Sequence, residues 1–208
     1  MPADRRDFLG ALLGASLLGR TDALGSPALP DSPWDLSWTG KLKGDHRGVF
    51  DWYHPDGSAA LWRAKIWKEQ VTETFGVTAE NMSTVLVIRH SAIPMIMGDD
   101  FWTTNDIGKK RKLKDERTGK TAILNPHRKE IVEFLAEGGI VLACGFAFMA
   151  MVFTEAKRQG KKTEEVRPEV VKQMIPGIVL QPSGFFALIE AQRNGCGLFP
   201  SDVASPQD

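Results

Sequence analysis

The chain has little cysteine, with Cys144 and Cys196 as the two such residues among 208. Two cysteines are too few for the disulfide scaffolds that stabilise many secreted domains. Basic and acidic residues balance at 26 each, so the formal net charge is zero. This balance shows neither the basic footprint of a nucleic-acid binder nor an acidic solvating tail. We therefore expect no nucleic-acid partner.

Several catalytic signatures are also missing. The chain contains no Gly-rich phosphate loop, no GxGxxG, no GxSxG elbow and no paired metal-ligand motif. These absences argue against nucleotide enzymes and serine hydrolases, and we predict no cofactor and no resident metal. Met95 and Met97 are soft enough to bind copper, but packing in a hydrophobic core explains them more simply.

The N-terminus is typical of an export signal. Arg5 and Arg6 are followed by Phe8 and Leu9, and residues 8–18 are all apolar or small. This stretch is shorter than the roughly 20 residues that cross a bilayer. The arginine pair and the mild hydrophobicity indicate a twin-arginine signal over residues 1–28, with the periplasm as destination. An amphipathic first helix is the alternative. An uncut signal would anchor the protein, and we expect no membrane span in the mature chain.

Behind the signal, the length leaves room for one domain. We expect a linker or arm over residues 29–45, which Trp34 and Trp38 dock on the domain. The domain itself then covers 46–200, and a tail follows over 201–208. Short apolar runs alternate with helical patterns, which predicts a doubly wound α/β fold with helices on both faces. The predicted strands of its mostly parallel five-stranded sheet are 48–51, 84–88, 140–143, 178–180 and 197–199.

The bounds of the predicted helices come from residues that commonly start or end a helix. One runs over 60–75, and a second has Asn125 as its N-cap and ends at Gly138. A third follows Gly145 toward Arg158, a fourth opens at Pro168, and a fifth is capped by Ser183 with Phe185, Leu188, Ile189 and Gln192 on one face. Residues 98–124 interrupt the alternation as a polar insert that includes a basic run at 109–114. A long insert beside a strand end is a candidate lid.

The residues after each strand are the candidates for a site, because ligands bind at the carboxyl ends of parallel strands. His54, His90 and Cys144 follow three different predicted strands. Cys144 also precedes a helix, whose N-terminal N–H groups favour a thiolate. It is either a reactive thiol or a small buried hydrophobe. Cys196 precedes the last strand, at the opposite edge of the sheet, so the two cysteines are not expected to pair.

Three stretches resemble the DsrE/DsrF-like family of sulfur-relay and sulfur-oxidation proteins. They are Val85-Leu86-Val87-Ile88-Arg89-His90, Gly139-Ile140-Val141-Leu142-Ala143-Cys144-Gly145, and Ile175-Pro176-Gly177-Ile178-Val179-Leu180-Gln181-Pro182-Ser183-Gly184. The resemblance implies a flavodoxin-like fold, a small homo-oligomer, and a sulfur-transfer cysteine that here matches Cys144. The export signal and the 98–124 insert depart from cytoplasmic relay members.

Three functions follow from these observations. The first is an exported protein that handles sulfur, with Cys144 as persulfide carrier or thiol site and His90 or His54 beside it. Its partner is then a sulfur donor or acceptor. The second is a non-enzymatic module of the same fold that binds a small ligand or a partner. The third is an envelope protein that binds metal or haem through His54, His90 or the methionines.

Overall fold

The computed structural model describes residues 34–55, 59–115 and 117–200. The expected export signal, most of the linker and the tail lie outside these residues. Within them, no helix is both long enough and apolar enough to span a membrane. The end of the arm is described: Trp38 lies in a 3-10 helix, Ser37–Lys41, and is buried against the domain as expected.

Five parallel strands form one sheet in the order β4-β3-β2-β1-β5. Their bounds are β1 His46–Trp52, β2 Met82–Ile88, β3 Ile140–Cys144, β4 Val179–Gln181 and β5 Gly197–Phe199. Val49 pairs with Val85 and with Leu198, and Leu86 pairs with Val141. β2 is buried along its whole length, as its β-branched composition predicts. The predicted flavodoxin-like α/β class is confirmed.

Helices cover both faces of this sheet. Their bounds are α1 Ala59–Phe75, α2 Asp99–Thr104, α3 Ile107–Arg111, α4 Arg128–Ala136, α5 Gly145–Gln159, α6 Thr163–Val171 and α7 Gly184–Arg193. On the first face, Leu86 and Val141 share a core with residues of α1, α4, α5 and α6. On the second face, Val85 and Leu142 share a core with α7 and Trp38. The two cores follow the period-two alternation of the strands.

The chain leaves β3 and β4 in opposite directions. α5 follows β3 onto the first face, whereas α7 follows the neighbouring β4 onto the second. A crevice opens where adjacent strands send their helices to opposite faces, and it is the usual ligand position in open α/β sheets. Gly145 begins α5 beside β4, where a Cβ would lie 2.6 Å from the Gln181 carbonyl oxygen. Glycine therefore permits the close approach of α5 to this strand.

The predicted N-cap at Asn125 was wrong, because this side chain turns inward. α4 begins at Arg128, and Asn125 is buried two residues before the cap. Its Nδ2 donates to the carbonyl oxygens of Met95 and Met97, at 2.8 Å each, and its Oδ1 accepts from the His127 N–H at 3.1 Å. Asn125 thus joins two segments instead of starting a helix.

The predicted start of a helix at Pro168 was also wrong. α6 begins at Thr163 and contains Pro168 on its exposed side. Val166 and Val170, one helical turn apart, are fully buried and hold the earlier turn on the domain. Water can satisfy the carbonyl that proline leaves without a donor, since this side of the helix faces solvent.

The face of α7 predicted to carry Phe185, Leu188 and Ile189 is only partly buried. Ser183 caps the helix as predicted, since its Oγ accepts from the Phe186 N–H. Ala187, Leu188 and Ala191 are buried, whereas Phe185 and Ile189 are 66% and 59% exposed. Ala187 and Ala191 allow the helix to approach the sheet closely, and Leu188 packs beside them.

The 98–124 insert has secondary structure of its own and packs on the domain, while residues 109–112 of its basic run are exposed. It contains α2 and α3, with an antiparallel bridge between Lys114 and Thr121. Phe101 and Trp102 of α2 lie in the core, and Trp102 Nε1 donates to the Pro94 carbonyl oxygen at 2.8 Å. The insert therefore forms part of the wall at the carboxyl edge of the sheet.

We expect Asn125→Ala to destabilise the fold by about 2 kcal/mol, because two buried carbonyl groups lose a donor. Urea unfolding followed by tryptophan fluorescence measures this change. The matched control is Leu124→Ala, at a neighbouring side chain that is largely exposed, with an expected change within about 0.5 kcal/mol. Equal effects of the two substitutions would show that Asn125 has no joining role.

Candidate functional site

A cavity of about 530 Å³ opens at the carboxyl edge of the sheet. It reaches the crevice between β3 and β4, where Cys144, Gly184 and Phe185 belong to its lining. The segments after β1 and β2, the insert and one side of α5 supply the remaining walls. The cavity therefore lies where the topology of the sheet predicts a ligand.

Cys144 joins the sheet to α5 in the wall of this cavity. It is the last residue of β3 and the N-cap of α5, and its Sγ accepts a hydrogen bond from the Ala147 N–H at 3.4 Å. The residue is 7% exposed and is therefore largely enclosed. Cys144 is nevertheless one of the residues that line the cavity.

Cys196 has a different environment. It packs in the core of the second face, with Ala191 of α7, and it is not among the residues that line the cavity. Burial raises the pKa of the Cys196 thiol. Both cysteines are free, in agreement with the expectation that they do not pair.

Of the two candidate histidines, His90 shares the cavity with Cys144. It follows β2 in a left-handed conformation, with φ of 51°, and its ring stacks on Tyr53 with centroids 4.1 Å apart. His54 does not line the cavity. Its Nδ1 lies 3.0 Å from Ser91 Oγ, and its ring centroid lies 6.0 Å from that of His90. Cys144 and His90 therefore line one cavity, whereas His54 lies outside its lining.

An ion pair that the sequence analysis missed supports the same wall. Arg89 donates to both carboxylate oxygens of Asp51, at 2.7 and 2.6 Å, and both side chains are largely buried. The guanidinium carbon also lies 4.5 Å from the ring centroid of Tyr53 and 5.1 Å from that of Phe185. A bidentate, ring-stacked arginine is held in one orientation. The sequence did contain one sign of this pair, since Asp51 is a charged residue in a strand that was predicted to be buried.

The cavity continues away from Cys144 along α5. Glu155 lies there in a buried position, and its hydrogen bond from Arg158 lowers the pKa of the carboxyl group. Lys110 and Arg111 of α3 also line the cavity, from the side of the insert. The basic run was evident in the sequence, but which of its members face a cavity depends on how α3 packs.

No metal centre is evident in the described part of the chain. No group of three or more His, Cys, Asp and Glu side chains there is arranged to hold an ion. Met95 and Met97 are fully buried in the core of the first face. The two methionines therefore have a packing role, as their sequence context indicated.

Comparison with known proteins gives no family. No family model and no curated protein matches the chain. A solved structure of a protein of unknown function from Methanobacterium thermoautotrophicum is similar over 75% of this chain and 99% of its own. Its sequence identity is 13% and its TM-score is 0.43. The functional argument therefore depends on the residues of the cavity.

We expect Gly184→Ala to disturb the wall of the cavity, because the new Cβ would lie 2.6 Å from Arg89 Cδ and 2.7 Å from its Cβ. Arg89 must then move relative to Asp51, at a cost of about 1–3 kcal/mol in unfolding free energy. Gly40→Ala is the matched control, since a Cβ there meets nothing within 4 Å. Thermal unfolding of both variants measures the difference, and equal stability would contradict the account.

Proposed function

We propose that this protein is an exported member of the DsrE/DsrF type that carries sulfur as a persulfide on Cys144. The observation that carries the proposal is the position of the Cys144 sulfur. The sulfur accepts a hydrogen bond from an N–H at the start of α5, and Cys144 lines a ligand-sized cavity together with His90. The sequence stretches that resemble the family include both residues.

One contact favours negative charge on this sulfur. The Ala147 N–H donates to it directly, at the positive end of the α5 dipole. Helix N-termini stabilise thiolates, which are the nucleophilic form of cysteine. A thiolate is the form that sulfur transfer requires.

The proposed reaction is a thiol exchange with an organic persulfide, R–S–SH. The Cys144 thiolate attacks the outer sulfur, and a new S–S bond forms as the S–S bond of the donor breaks. The leaving group R–S⁻ takes up the proton that Cys144 released, so the products are Cys144–S–SH and R–SH. His90 is the group of the cavity that accepts this proton and returns it.

The main rival is a binding module in which Cys144 does not react. The enclosure of its side chain and the apolar character of much of the lining favour this rival. Both functions need a small molecule in the cavity, but only the persulfide carrier requires a covalent bond to the Cys144 sulfur. Chemical modification of Cys144 therefore separates them.

Export and assembly belong to the same proposal. The paired arginines at positions 5 and 6 and the short apolar run after them support twin-arginine export to the periplasm. Phe146 and Phe185, beside the cavity, are 80% and 66% exposed. Large exposed apolar side chains are typical of surfaces that another subunit covers. They support assembly into a homo-oligomer.

The direct test is intact mass analysis of the full chain after incubation with glutathione persulfide. We expect an added mass of one sulfur atom in the unmodified protein and in Cys196→Ala, but not in Cys144→Ala. Cys196→Ala is the matched control, because that thiol lies in a different core outside the cavity. No adduct, or an adduct that persists in Cys144→Ala, would refute the proposal.

His90→Asn should slow sulfur loading by about a hundredfold, the usual range for loss of a proton-transfer group. Asparagine tolerates the left-handed backbone that His90 adopts, so the fold should persist. His54→Asn should have a smaller effect because His54 does not line the cavity. Rates from quenched samples measure both variants, and a larger effect of His54→Asn would reverse the assignment.

A further inference from the structure

The cavity is a groove that follows one side of α5. Ala147, Ala150 and Thr154 line it at helical spacing, with Cys144 before the first residue of the helix and Glu155 near its end. At 1.5 Å per residue, the helix between these ends spans roughly 15 Å. Since Cys144 lies at one end, a molecule that fills the groove extends well beyond the sulfur.

The middle of the groove is apolar. Phe101 and Ile107 of the insert and Ile93 and Pro94 after β2 belong to the lining, as does Met151 of α5. Burial of apolar surface stabilises a ligand in proportion to the area removed from water. These walls favour an apolar body over a small inorganic ion.

The charged groups of the lining differ in whether they already have partners. Arg89 is paired with Asp51, and Glu155 accepts hydrogen bonds from Arg158 and Gln159. Lys110 and Arg111 form no ion pair within the part of the chain that the structure describes. Lys110 contributes, after Arg158 and Gln159, to lowering the pKa of the Glu155 carboxyl group. Arg111 is its neighbour on α3 and also lines the cavity. Two lining cations with no ion-pair partner among the described residues therefore lie on the insert side of the groove.

We infer that the groove binds an elongated organic anion, with its apolar body along α5 and its anionic group at Lys110 and Arg111. This inference deepens the proposed function and rests on it for the chemistry at Cys144. There the substrate class is an organic persulfide with an apolar chain that ends in an anionic group. Inorganic sulfide lacks both the apolar chain and the remote charge.

Calorimetric titration of the unmodified chain with decanoate tests the inference without sulfur chemistry, because decanoate cannot react with a thiol. We expect decanoate to bind, and decanol to bind more weakly. Lys110→Gln with Arg111→Gln should weaken decanoate binding roughly five- to tenfold, because two partly exposed ion pairs are lost. The matched control is Lys109→Gln with Lys112→Gln, from the same basic run but outside the lining, which should leave binding unchanged.

A second variant pair tests the position of the ligand. Ala150→Trp fills the groove from an exposed position of α5 and should abolish decanoate binding, whereas Lys157→Trp, outside the lining of the same helix, should not. Circular dichroism and the unfolding midpoint show that each variant is folded.

Absence of decanoate binding, equal binding of decanol, or binding that survives Ala150→Trp would overturn the inference. These failures are distinguishable from failure of the proposed function. Sulfur loading with no decanoate binding refutes the ligand class alone, and decanoate binding with no sulfur loading refutes the persulfide carrier alone.

Discussion

The site depends on the close approach of α5 to β4, which brings a helix start, a cysteine and the edge of the sheet together. Gly145 lies against the Gln181 carbonyl, with no space for a Cβ. This contact allows β3 to end at Cys144 and α5 to begin at the next residue, so that the Ala147 N–H reaches the sulfur. Because α7 leaves the neighbouring strand toward the other face, a crevice remains open beside the same sulfur.

Two charged groups that line the cavity, Arg89 and Glu155, are already paired. Arg89 lies over the rings of Tyr53 and Phe185 and is paired with Asp51. Glu155 is fixed by Arg158. The unpaired cations are displaced to the insert side of the groove, on α3. The cavity therefore separates a thiol end from a cationic end. Such a separation suits a ligand with chemistry at one end and charge at the other.

Much of the fold follows from local sequence patterns. The five strands, the cap at Ser183 and the glycine ends of helices rely on periodicity and turn chemistry, which act within a few residues. Asn125 and Pro168 were misassigned because distant contacts override local preference there. Asn125 bonds to Met95 and Met97, some thirty residues earlier, and Val166 and Val170 anchor the turns around Pro168.

The site was partly predictable for the same reason. Parallel strands place their carboxyl ends at one edge, so the sequence alone predicted that Cys144 and His90 lie near each other there. The Asp51–Arg89 pair and the roles of Lys110 and Arg111 depend on how separate elements pack. No local pattern contains that information.

The most direct measurement is the rate at which iodoacetamide alkylates Cys144 in native and in urea-unfolded Cys196→Ala protein. If the cavity gives access to a sulfur whose negative charge the helix start stabilises, the native thiol reacts at least as fast as the unfolded one. Strong protection of Cys144 in the native state, released by unfolding, would contradict the account and leave a packed residue with no chemistry.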